Sequence, residues 1–155
     1  IQLGIIYNPA SGELFHAVRG AGAYLNDKPI QVSPRADLKD AIVDFNCNFS
    51  SVSDRPKGQK LFSLLCPPVT ARLRLTESAN LDLAYVACGR YDAYLHPSDK
   101  VWDQAAGKLL IEEAGGQVLN FSAAAEYSIF SPGVIATNGQ ITGELKGAIA
   151  EMWDN

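Results

Sequence analysis

Apolar and polar positions change period several times along this chain, and each change marks an element. Leu3 to Tyr7 and Glu13 to Val18 are β-prone runs separated by Asn8-Pro9-Ala10-Ser11-Gly12, a cluster of turn formers, so a hairpin is predicted at the start. A lone hairpin is marginal in water, which predicts further strands beside it. Ala23 to Leu25 is one such run, reached through Gly20 and Gly22 and closed by a turn at Asn26-Asp27-Lys28-Pro29. Pro34 to Asp40 is polar without an apolar period and reads as a connection, dividing residues 1–33 from residues 34–155.

Beyond that connection strands and helices alternate. Ala41 to Asn46 reads as a buried strand, with Asp44 its one charge, and Asn48 to Gly58 as a loop. A helical piece from Gln59 to Leu65 stops at Pro67-Pro68, and Val69 to Leu75 is a strand with Arg72 and Arg74 on one face. Thr76 to Gly89 carries a Thr or Ser cap, apolar residues at Ala79, Leu83, Val86 and Ala87, and a glycine stop, which predicts an amphipathic helix. Tyr91 to Leu95 is a strand that sends Asp92, Tyr94 and His96 to one side. A helix from Asp103 to Ala114 follows. Gln117 to Phe121 and Gly133 to Thr137 are strands flanking an irregular stretch from Ser122 to Ser131. Gln140 to Trp153 closes as a helix with Ile141, Leu145, Ala148, Ile149 and Met152 at helical spacing. The fold class is therefore α/β, with a more antiparallel unit at the start.

Composition narrows the function. With 47% apolar and 19% charged residues the chain can bury a core, which excludes a disordered or low-complexity protein. A net charge of −4 with no basic cluster argues against nucleic acid or an anionic membrane surface as partner. Any phosphate would then be met locally, through a metal. Cys47, Cys66 and Cys88 are odd in number and far apart, so neither a disulfide framework nor a zinc site is expected and a reducing cytoplasm is the predicted location. Neither a membrane span nor a signal peptide is visible. The chain enters a strand-like run directly from Ile1, without an initiator Met, and reads as a segment of a longer protein.

The chemistry gathers at Val101 to Gly116, VWDQAAGKLLIEEAGG, where Asp103 stands at the mouth of a helix with little steric bulk in Ala105-Ala106-Gly107. Two readings of Asp103 stay open on spacing alone: an N-cap serving its own helix, or an ionised cation ligand beside an anionic substrate. Asp44 reads as a strand-end aspartate facing solvent or a backbone N–H rather than a ligand. His96 on its own reads as a surface or hydrogen-bonded histidine.

W-D-x-A-A-G, then a helix and E-A-G-G, resembles the second signature of the inositol monophosphatase family. Ser78-Ala79, Leu81 to Ala87 and Gly89-Arg90 resemble that family's G-S-A-A-L-D-L-A-Y-V-A-x-G-R, and Gly4 to Ser33 resembles its opening hairpin. The resemblance implies part of a layered αβαβα sandwich and a magnesium-dependent phosphomonoesterase. It gives Asp103 the roles of catalytic metal ligand and substrate contact, and makes Ser78, Ala79 and His96 substrate contacts. His96 falls where the family often has a glutamate that binds ring hydroxyls. Glu77 stands where the family has glycine and Asn80 where it usually has alanine, so a carboxylate comes close to the place of the polyol or phosphate.

The family's first signature, D-P-x-D-G-T, has no counterpart, since no Asp here is followed by Gly. In the family it lies upstream of the strand with which this chain begins. The resemblance thus implies a C-terminal portion, inactive alone, of an enzyme in which metal-activated water attacks inositol monophosphate or a similar polyol phosphate. The same resemblance admits a 3′-phosphoadenosine 5′-phosphate phosphatase or a fructose-1,6-bisphosphatase; a non-catalytic binding module is the alternative of another class. The expected partner is a small phosphorylated substrate, and a homodimer is compatible with the family pattern.

Overall fold

The computed structural model describes residues 1–121 and 127–150. Strands β1 (Leu3–Asn8), β2 (Glu13–Val18), β3 (Gly22–Leu25) and β4 (Lys28–Pro29) form an antiparallel sheet in that order. The expected hairpin is present, with Ile6 opposite Phe15, and two more strands support it. Asn26 and Asp27, at φ 46° and 63°, make the tight turn between β3 and β4, a conformation that these two residue types tolerate.

A second sheet has the order β6-β5-β7-β9-β8, built from β5 (Ile42–Phe45), β6 (Arg72–Arg74), β7 (Ala93–His96), β8 (Gln117–Asn120) and β9 (Val134–Thr137). β5 runs parallel to both neighbours, whereas β9 runs antiparallel to β7 and β8. The helices are α1 (Arg55–Leu65), α2 (Ala79–Ala87), α3 (Val101–Glu113) and α4 (Thr142–Ala148).

Strand alternation sorts the apolar residues into two cores. Ile6, Phe15, Ala17 and Ala23 of the first sheet meet Leu83 and Val86 of α2, Leu109, Leu110 and Ile111 of α3, and Tyr94, Val134 and Ala136 of the second sheet. The intervening Ala93, Leu95 and Ile135 turn to the other face, against Leu61 and Leu65 of α1 and Leu145 of α4. The layers therefore run sheet, helices, sheet, helices. The outer face of the first sheet leaves Leu3, Ile5, Tyr7, Leu14 and Val18 exposed.

Small residues set the spacing between layers. A Cβ on Gly107 would stand 2.4 Å from Cβ of Leu83, and one on Gly4 would stand 2.9 Å from the Ala106 carbonyl oxygen, so the Ala105-Ala106-Gly107 run does admit close neighbours. Glu113 reaches back from the end of α3 and accepts the N–H groups of Gly20 and Gly22 at 2.9 and 3.0 Å, tying the first sheet to the helix layer.

Several local expectations are corrected. α1 begins at Arg55, not Gln59, because Pro56 occupies its first turn, where a missing N–H costs nothing. Leu38–Asp40 form a 3-10 turn inside the predicted connection, and α2 is shorter than Thr76 to Gly89. Residues 122–126 of the predicted irregular stretch, and Met152 and Trp153 of the last predicted helix, lie outside the described residues. Asp44 is the largest departure. It is 0% exposed, and neither carboxylate oxygen has a hydrogen-bond partner among the described residues, because β5 is covered on both faces and offers no solvent side.

Candidate active site

Chain direction locates the site. From β5 the chain crosses through α1 to β6 on one side, then returns through α2 to β7 on the other, with α1 and α2 packed on opposite faces of the sheet. Such a reversal leaves a crevice beyond the carboxyl ends of the two parallel strands, where ligands bind in open α/β sheets. A cavity of about 340 Å³ lies there, lined by Asn46 to Ser50 after β5, His96 at the end of β7, Glu77 and Ala79 at the start of α2, and Asp99 and Asp103 around the start of α3.

Three of the four residues singled out in the sequence, Ala79, His96 and Asp103, thus meet in one cavity. The fourth, Ser78, is not part of its lining. Ser78 occupies the N-cap position of α2, but its side chain makes no capping bond. Asp82 caps in reverse: it accepts the Ser78 N–H at 3.3 Å and the Thr76 hydroxyl, while Asn46 donates to it at 2.9 Å. Asp103 sits in the first turn of α3, and the N-cap position belongs to Lys100, whose backbone is extended. The capping reading of Asp103 is therefore set aside.

Electrostatics distinguishes the acidic groups. Burial, with the Asp103 carboxylate facing it, pushes Asp99 up to about 7, and the Tyr94 hydroxyl donates to it at 3.4 Å. Burial lowers His96, with the Asp103 and Asp54 carboxylates pulling the other way, so a neutral imidazole is favoured. Its Nδ1 accepts the Ser98 N–H at 3.0 Å, which leaves the ring proton on Nε2. His96 is thus a hydrogen-bond donor at the cavity wall, suited to a substrate oxygen.

Among the described residues no group of three His, Cys, Asp or Glu side chains could hold a metal ion. Asp99 and Asp103 fall short of the near-octahedral oxygen shell that magnesium demands, so these residues do not by themselves complete a magnesium site.

The inositol monophosphatase family model matches residues 1–155. The chain belongs to the inositol monophosphatase family. "Nus factor SuhB" of Xylella fastidiosa is 44% identical over 124 residues, covering 77% of this chain and 43% of that protein. "Inositol-1-monophosphatase" of a Synechocystis strain is 36% identical over 148 residues, covering 96% of this chain and 51% of its own length. The solved inositol monophosphatase of Anabaena superimposes with a TM-score of 0.89 at 35% identity, covering 97% of this chain and 59% of that one. The mixed α/β layers are accordingly those of an inositol monophosphatase fold. The chain spans about half the length of the curated relatives it matches.

Sequence reasoning missed Asn46 and Asp99 as parts of the site. Asn46 lies just beyond a strand end, and Asp99 stands four residues before Asp103. Only the crossover that brings the ends of β5 and β7 together gives either of them a role.

Proposed function

We propose that this chain carries the alcohol-binding wall and one metal ligand of a magnesium-dependent phosphomonoesterase that acts on a polyol monophosphate such as inositol 1-phosphate. The observation that carries the reading is the convergence of Asp103, His96 and Ala79 in one cavity beyond β5 and β7, inside the inositol monophosphatase family. Magnesium would supply Lewis-acid stabilisation of the phosphate. Asp103 would be one of its ligands, and the others would come from the part of the relatives' length that this chain does not match. Activity of the isolated chain is therefore expected to be absent.

The residues present do the positioning. The first turns of α2 and α3 converge on the cavity and turn their N-terminal dipole ends toward an anionic ester. His96 donates from Nε2 to a substrate oxygen, and the small Ala79 leaves room for the alcohol. Cys47, Cys66 and Cys88 are free thiols, none of which the reading uses as a nucleophile.

The test is phosphate release from inositol 1-phosphate with magnesium, comparing this chain, the full-length protein and its Asp103→Asn variant. Turnover is expected in the full-length protein alone and is expected to fall at least about a hundredfold in the variant, the usual scale for loss of a catalytic electrostatic group. Turnover by the isolated chain would contradict the shared metal site.

A further inference from the structure

Glu77 is a glutamate at φ 58°, the left-handed region that ordinary side chains occupy rarely. Its backbone is held from several sides. Its N–H donates to Asn46 Oδ1 at 3.0 Å, Asn46 in turn donates to Asp82, and Asp82 accepts from Thr76 and Ser78 on either side of Glu77. A clamp of this kind keeps a costly conformation in place, and such outliers point toward function. The Glu77 side chain is exposed, lines the cavity that holds Asp103 and His96, and has no hydrogen bond or ion pair among the described residues. Among the described residues no Lys or Arg lines that cavity.

We propose that Glu77 selects the alcohol half of the substrate: its carboxylate accepts hydrogen bonds from an alcohol rich in donors and repels one that carries a second anionic group. This inference rests on the phosphomonoesterase reading above. A phosphate bound near Asp103 would leave its alcohol facing the rest of the lining, where Glu77 carries a carboxylate with no partner among the described residues. Hydroxyls satisfy it, whereas a second phosphate brings like charges together without a cation between them.

The experiment uses the full-length protein with magnesium and compares wild type, Glu77→Gln and Glu77→Gly on inositol 1-phosphate and fructose 1,6-bisphosphate. Wild type is expected to prefer the monophosphate. In Glu77→Gln, which keeps the shape and removes the charge, kcat/KM for the bisphosphate should rise about tenfold relative to the monophosphate, carried by KM. Glu77→Gly should move the ratio the same way. An unchanged ratio in active variants, or a change confined to kcat, overturns the role of Glu77 and leaves the phosphatase reading intact. If wild type hydrolyses neither ester, the phosphatase reading falls and calorimetric binding of the same two esters decides. A monophosphate preference lost in Glu77→Gln supports the inference, while equal binding, or binding of neither, overturns it.

Discussion

Burial governs the carboxylates of this chain one by one, and Asp44 shows it most plainly. Desolvation, reinforced by the Asp82 carboxylate, pushes Asp44 up to about 7, while the Thr76 N–H, which falls outside hydrogen-bond geometry, and Arg74 on the adjoining strand pull the other way. Asp82 is itself raised by burial, and burial also raises the Tyr91 and Tyr94 hydroxyls, with Asp44 and Asp82 adding to it and Asp99 adding more at Tyr94. A folded-state pKa above the unfolded value means that the native protein binds the extra proton. Stability is then undiminished below about 3.8 and is lost as pH rises toward about 7. A shift of that size corresponds to at most roughly 4 kcal/mol. Asp44→Asn is expected to gain on wild type steadily from pH 4 to pH 8 in urea midpoint; a pH-independent difference would show that Asp44 is not the titrating group. The alternation of AIVDFN marks a strand but not its surroundings, so the burial of Asp44 could not be read from it. Asp103 stood out because its motif is long, and it lines the cavity, whereas Ser78 shares a motif with cavity residues and is not part of the lining.

Elements were legible where their signals are local. Helical spacing located α2 and α3, and turn residues located the hairpins, because each depends on neighbours within about four residues. Ends were harder: Pro56 moved the start of α1 upstream, and Asp82 took over the capping that Thr76 or Ser78 was expected to perform. The contact between α2 and α3 sets the most demanding packing condition in the middle layer. Gly107→Ala would press a methyl into Leu83 from 2.4 Å, and overpacking of this kind costs about 1–3 kcal/mol. A thermal or urea unfolding midpoint lowered by that amount is expected, and an unchanged midpoint would show that the layer accommodates the methyl.

At the scale of the whole molecule, four alternating layers leave one apolar sheet face open. Leu3, Ile5, Tyr7, Leu14 and Val18 share it, a contiguous surface of the kind that drives association. The isolated chain is expected to self-associate in sedimentation experiments, and Ile5→Lys with Tyr7→Lys to shift it toward monomer; a monomeric parent chain would contradict this. No helix among the described residues is long and apolar enough to cross a membrane. The sequence by itself determined the α/β class and most of the order of strands and helices, because periodicity acts over short stretches of chain, and a motif of the same short range singled out Asp103, which lines the cavity. Only the tertiary structure decided that β5 lies between β6 and β7. That reversal brings Asn46, Glu77, His96, Asp99 and Asp103 to one cavity, since a crossover joins residues up to 57 positions apart and leaves no trace in local spacing.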